Sequence, residues 1–187
     1  MSDPFPPNDE KSIRGQALVN PFTAADVATI LKENNWLGGE PDEKQMAWCA
    51  RAAALLGPHA ADRSALFNLL ELVFHYDSQT ILQGVDAHIV MSRYAARDVL
   101  RQLALQLLDG TPLTSERFSE IVAQLKEGLD IRGRELFHPI RLALAGRSGE
   151  GELDRVILLL DDAAAAGFAA PVKIARERIL EFCSVFN

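Results

Sequence analysis

Apolar residues return every three or four positions through most of this chain, the spacing that lines one face of an α-helix. The clearest case is Leu66, Leu69, Leu70, Val73 and Phe74, a full core stripe that opens after Asp62 and fades at Asp77 and Ser78. Val27, Ile30 and Leu31 form a shorter face running to Asn34, behind Thr23, whose hydroxyl can accept from a free amide of the first turn. Met46, Ala50, Ala53 and Leu56 follow Pro41, Asp42 and Glu43 and stop at Gly57-Pro58. Ala96, Val99, Leu100, Leu103 and Leu107 share a face that Ser92 is placed to cap, and Phe118, Ile121, Val122 and Leu125 one capped by Thr114 and ended by Gly128. A short helix is predicted from Pro139 to Ala145, stopped by Gly146. Leu153, Val156, Ile157 and Leu160 define the next, and Pro171 opens the last, with Ile174, Arg178 and Phe182. Only Gln79 to Met91 has no clear period, and strand alternation with hairpin turns is missing.

The pattern therefore predicts an all-α fold, a helical bundle with short antiparallel links. Residues 1–20, with three prolines and no apolar run, read as a flexible N-terminal tail; 21–110 and 111–187 read as two helical subdomains meeting near Asp109 to Pro112. A content of 48% apolar and 24% charged residues suits a folded globular chain. No stretch approaches the ~20 apolar residues that span a bilayer, so no membrane insertion is expected. The N-terminal residues lack the features of a secretory signal, and two cysteines, Cys49 and Cys183, fit buried thiols in a reducing cytoplasm.

Charge changes the picture more than composition does. The net charge is −7, yet Ile131 to Ser148 carries Arg132, Arg134, Arg141 and Arg147 against one acid, Glu135. An acidic chain with a basic island is a poor indiscriminate nucleic-acid binder but can grip an anion locally. His59, His75, His88 and His138 are never at metal-ligand spacing with each other or with a cysteine, so no metal and no cofactor is expected. Ser64 and Ser92 read as helix caps rather than nucleophiles, and Asp161-Asp162 as a solvated face. The run Gly146-Arg147-Ser148-Gly149-Glu150-Gly151 lacks the Lys-Ser/Thr ending of a phosphate loop. It reads either as a plain turn or as a place where backbone approaches a partner closely. Phe118, Phe137 and Phe182 sit at core spacing, while Trp36, at a helix end beside Gly38-Gly39, is a candidate for partner contact as well as for core.

One segment is more specific. Leu136-Phe137-His138-Pro139-Ile140-Arg141-Leu142-Ala143-Leu144-Ala145-Gly146, entered through Arg132-Gly133-Arg134, resembles the signature of the C-terminal anticodon-binding domain of bacterial glutamyl-tRNA synthetases. The resemblance extends over about residues 45–187, strongest after 113, and leaves the first forty-odd residues unassigned. Neither of the two nucleotide-binding signatures of a class I synthetase is found, so the resemblance implies a freestanding, noncatalytic relative with no aminoacylation of its own.

What the resemblance implies for function is tRNA binding, with glutamate tRNA as the implied species. It assigns base contacts to Arg141, to Glu150, Gly151 and Leu153 in the loop after Gly146, and to His59, which stands where some members carry an arginine. Arg132, Arg134 and Arg147 complete the electrostatic footprint. A guanidinium suits unpaired bases because it can stack and donate at once; Arg141 could equally tie Glu135 or helix carbonyls together. Ala145 stands in place of a usual threonine, and Glu150-Gly151 where some members have Thr-Pro. These departures keep an alternative open: a protein-interaction or regulatory module that has lost tRNA binding and docks on a protein partner. A subunit acting in trans on a truncated synthetase would combine the two.

Overall fold

Local signals start the fold. In the computed structural model, which describes residues 19–187, the Thr23 hydroxyl accepts from the Asp26 amide while the Asp26 carboxylate accepts from the Thr23 amide, a reciprocal cap on α1 (Ala24–Glu33). Thr23→Ala should lower stability by about 1 kcal/mol, read as a shift in the urea midpoint. Asp42 caps α2 (Glu43–Leu56) in the same way through Gln45. Gly57 then stays right-handed and leads into a single 3-10 turn, Gly57–His59, instead of stopping the chain in a left-handed cap. Asp62 caps α3 (Arg63–Phe74), so Ser64 lies inside that helix and is not its cap.

The undecided stretch after Asp77 forms two short helices, α4 (Ser78–Gln83) and α5 (Val85–Met91). Ser92 ends α5, its hydroxyl donating to the Ile89 carbonyl, and α6 (Ala96–Leu107) begins without a side-chain cap. Thr114 caps α7 (Ser115–Leu129), which passes through Gly128 and ends at left-handed Asp130. The most consequential difference is α8, which spans Arg134–Ala145 and so begins five residues before Pro139. The proline removes only the bond to the Glu135 carbonyl, and Glu135 is exposed, so water can satisfy that group. The helix expected after Gly151 is broken at Leu158–Leu159 into α9 (Glu152–Ile157) and α10 (Leu160–Ala165). The last helix, α11, is Ala175–Phe186, and Pro171 lies in the extended segment before it.

The described residues contain no strand, and the chain is all-α. Of the expected tail, Val19 and Asn20 are described and residues 1–18 lie outside the described residues; Asn20 is pinned, donating to the Ala53 carbonyl and accepting from the Phe22 amide. One apolar core runs through residues on both sides of Gly110. At its centre lies α8, packed against α5, α6, α9 and α11 and buried from Pro139 through Ala145 on every side, as a helix enclosed by others must be. Trp36 belongs to this core: it is 4% exposed and stacks on Phe74 with ring centroids 4.7 Å apart. Its carbonyl accepts from the Ala169 and Ala170 amides, so the turn after α10 is sewn to the link between α1 and α2.

Asp161 also differs from a solvated face, whereas Asp162 is exposed as expected. Asp161 accepts from the amides of Leu113 and Ala175, joining the link before α7 to the first turn of α11, where an unpaired amide would otherwise remain. Asp162 pairs with Arg51 of α2. No helix among the described residues is long and apolar enough to cross a membrane.

Candidate nucleic-acid interface

The central helix α8 presents its two ends to the surface. At the C-terminal end Gly146 adopts φ +84°, a left-handed conformation that side-chain-bearing residues avoid, and its amide bonds back to the Leu142 carbonyl. The chain then turns through Arg147–Gly151 and re-enters the core at Leu153. Gly149 makes that return possible, because a Cβ there would sit 3.1 Å from the Leu153 side chain.

Arg141 builds this loop from beneath. Its guanidinium is 8% exposed and meets Asp154 in a fork, Nε to Oδ1 at 2.8 Å and Nη2 to Oδ2 at 2.9 Å. The remaining arm, Nη1, donates to the Gly149 carbonyl at 3.0 Å, and the Phe137 ring lies 4.8 Å from the guanidinium carbon. The hydrogen bonds to Asp154 raise the Arg141 pKa further, so the group is a fixed cation. Its partners are thus a carboxylate and a loop carbonyl, not Glu135, and its donors face inward.

The other sequence-predicted residues divide by position. Arg132 and Arg134 are exposed at the N-terminal end of α8, and Arg147 is exposed just past its C-terminal end. Thirteen residues separate Arg134 from Arg147, about 20 Å at the helical rise, so the basic island is two separate sites rather than one patch. Among the described residues, no carboxylate pairs with Arg132, Arg134 or Arg147. Glu150 and Gly151 are exposed at the loop tip, whereas Gly146 is partly covered by the Ile81 side chain of α4. Leu153 corrects the expectation of a base contact: it is 2% exposed and held in the core with Val156 and Ile157, as the first apolar position of α9. His59 is exposed on the 3-10 turn between α2 and α3, the two helices against which α9 packs.

Three contributors escape a reading of the sequence. Arg178, on α11, is wholly buried beneath the C-terminal end of α8 and donates to the carbonyls of Leu72, Val73, Leu144 and Lys173. Tyr76 adds a bond to the Ala143 carbonyl, so the base of the loop is fixed from two sides. Arg93, in the turn after α5, donates to His138 Nδ1 at 3.0 Å. Burial, and then the charges of Arg93, Arg134 and Arg141, hold the His138 pKa below the usual imidazole value, which keeps that nitrogen free to accept.

The sequence matches the model of the anticodon binding domain over residues 17–163. The chain belongs to the anticodon binding domain family. This anticodon binding domain takes in α1 and the start of α2, which the resemblance after residue 45 had left out, and ends within α10. Among curated proteins it is similar to a glutamate–tRNA ligase of Exiguobacterium sibiricum, 27% identical over 137 residues, 70% of this chain and 27% of that protein. It is similar also to glutamate–tRNA ligase 2 of Syntrophus aciditrophicus, 25% identical over 67% of this chain and 25% of that one. A Staphylococcus saprophyticus glutamate–tRNA ligase is 26% identical over 71% and 26% respectively. The chain spans about a quarter of the length of the curated relatives it matches. No solved structure matches it significantly.

Proposed function

We propose that this anticodon binding domain is a noncatalytic tRNA-binding module that grips the anticodon arm, with glutamate tRNA as its first candidate and the chemistry supplied by another domain or chain. The observation that carries the reading is the braced loop after α8. Its backbone is held by Arg141 and Asp154, while Arg147, Glu150 and Gly151 face outward where an unpaired anticodon can approach. In this reading Arg141 works as a positioning residue, shaping the loop that touches RNA. Arg132, Arg134 and Arg147 supply unpaired positive charge to phosphates, and His59 offers an exposed ring at the adjoining turn.

A titration of the protein against glutamate tRNA and unfractionated tRNA tests this. With about three phosphate contacts, affinity should fall roughly 20-fold between about 50 and 200 mM salt, by the single-strand slope. Arg132→Ala/Arg134→Ala/Arg147→Ala should flatten that dependence. No binding at about 50 mM salt and tens of micromolar protein would exclude the reading, since electrostatic affinity is greatest there.

A second reading, docking on a protein partner, draws on Val85 and Ile89, one turn apart and exposed on α5, and on Val185 of α11, which is exposed and lines a groove with Ala87, His88 and Met91 of α5. A complex isolated from cells whose formation is lost in Ile89→Asp, with tRNA binding absent, would favour it over the first.

A further inference from the structure

The turn joining α5 to α6 carries an aromatic ring that the fold does not use. Tyr94 is 100% exposed, whereas the described chain buries or half-buries its other aromatic rings. The residue before it, Arg93, is half-buried and fixed: Nη1 donates to His138 Nδ1 and, at 3.4 Å, to the Arg134 carbonyl. Both acceptors are neutral, so Arg93 is anchored without its charge being cancelled. The same two bonds seat the turn on the first turns of α8, beside exposed Arg134 and Arg132. Asp130 and Glu135 are the acids of this stretch, set against those three arginines.

An exposed ring next to anchored, uncancelled guanidinium groups has the composition of a stacking platform for single-stranded nucleic acid, in which the ring takes a base face and the cations take the flanking phosphates. We propose that Tyr94 stacks on an unpaired RNA base and that Arg93 and Arg134 hold the phosphates on either side of it. This forms a second RNA contact at the opposite end of α8 from the Gly146–Gly151 loop. The inference rests on the tRNA-binding reading above. The two contacts stand about 18 Å apart along the helix, a separation that one folded RNA arm can bridge. The surface contributes to affinity through stacking and charge, without reading base identity.

The test is filter binding of unfractionated tRNA by the full chain and by Tyr94→Ala, Tyr94→Phe and Arg93→Gln, with Arg147→Ala as a control at the loop. Because Tyr94 touches nothing in the fold, its removal should leave the urea midpoint unchanged. Tyr94→Ala should bind about five-fold or more weakly while Tyr94→Phe stays within about two-fold of the parent, since the ring supplies the contact. Arg93→Gln keeps an amide donor toward His138 but loses the charge, and should lower the salt slope by about 0.7. If the parent binds tRNA and Arg147→Ala weakens it, yet Tyr94→Ala binds like the parent, the second contact is refuted and the loop reading stands. Equal losses in Tyr94→Phe and Tyr94→Ala refute stacking. Absence of any tRNA binding by the parent overturns both.

Discussion

Arg178→Met is expected to lower the unfolding free energy by about 3–5 kcal/mol, the largest loss available from a single polar side chain here. The guanidinium has no exposed surface and donates to four carbonyls, at 2.7 Å to Val73, 2.9 Å to Leu72 and Leu144, and 3.0 Å to Lys173. Leu72 and Val73 lie in the last turn of α3 and Leu144 in the last turn of α8, where carbonyls have no partner within their own helix. One cation thus closes the negative ends of two helices, and methionine would leave those carbonyls buried and unpaired. Arg178→Lys should restore only part of the loss, because an ammonium cannot reproduce the planar fork.

The pH dependence of this loss follows from a cation whose four acceptors carry no titrating charge. Burial pushes the Arg178 pKa down to about 10, still well above neutrality, so the group remains cationic in ordinary buffers. A folded-state pKa below the unfolded one means that the unfolded chain binds more protons only above about pH 10, and only there does stability change with Arg178 ionisation. The cost of Arg178→Met should therefore be flat between about pH 6 and 9 in urea titrations followed by Trp36 and Trp48 fluorescence. A cost that falls steeply in that window would contradict carbonyl-only ligation.

Arg141→Met is expected to cost about 2–4 kcal/mol and to loosen the loop after α8. It leaves the Asp154 carboxylate, itself mostly covered, without either of its two donors. Replacing both partners, Arg141→Met with Asp154→Leu, should cost clearly less than the two single changes added together, because no charge is then stranded. Amide exchange at Gly149 to Gly151 should accelerate in Arg141→Met, and tRNA affinity should fall with it even though the guanidinium faces inward. Strict additivity in the double-mutant cycle would mean that the fork contributes nothing as a pair.

The parts of this protein that were legible beforehand are those written in local sequence. Thr23 and Thr114 cap helices because a hydroxyl at that position needs only the amides that follow it, and Gly146 ends α8 because of its own backbone. The α8 segment was recognisable, and with it the family, because residues 136–145 lie in one helix, buried without a break from Pro139 to Ala145, and Gly146 closes it. Its start was misplaced because Pro139 favours a first helical turn by preference, while burial on every side holds it in the interior here. Arg141 had two open readings because its partners lie 13 and 8 residues away in a loop whose course depends on packing. Arg178 looked like one more position on an amphipathic stripe; its acceptors lie 34 and more than 100 residues away for three of its four bonds. Leu153 was drawn to the RNA by likeness of order, and the return of the chain into the core turns it inward.

The anticodon-arm reading is tested most directly by footprinting glutamate tRNA with a backbone-cleaving reagent in the presence and absence of the protein. The account predicts protection confined to the anticodon arm, lost when Arg132, Arg134 and Arg147 are all replaced by alanine. Protection spread evenly over the tRNA, or none at low salt, would contradict it.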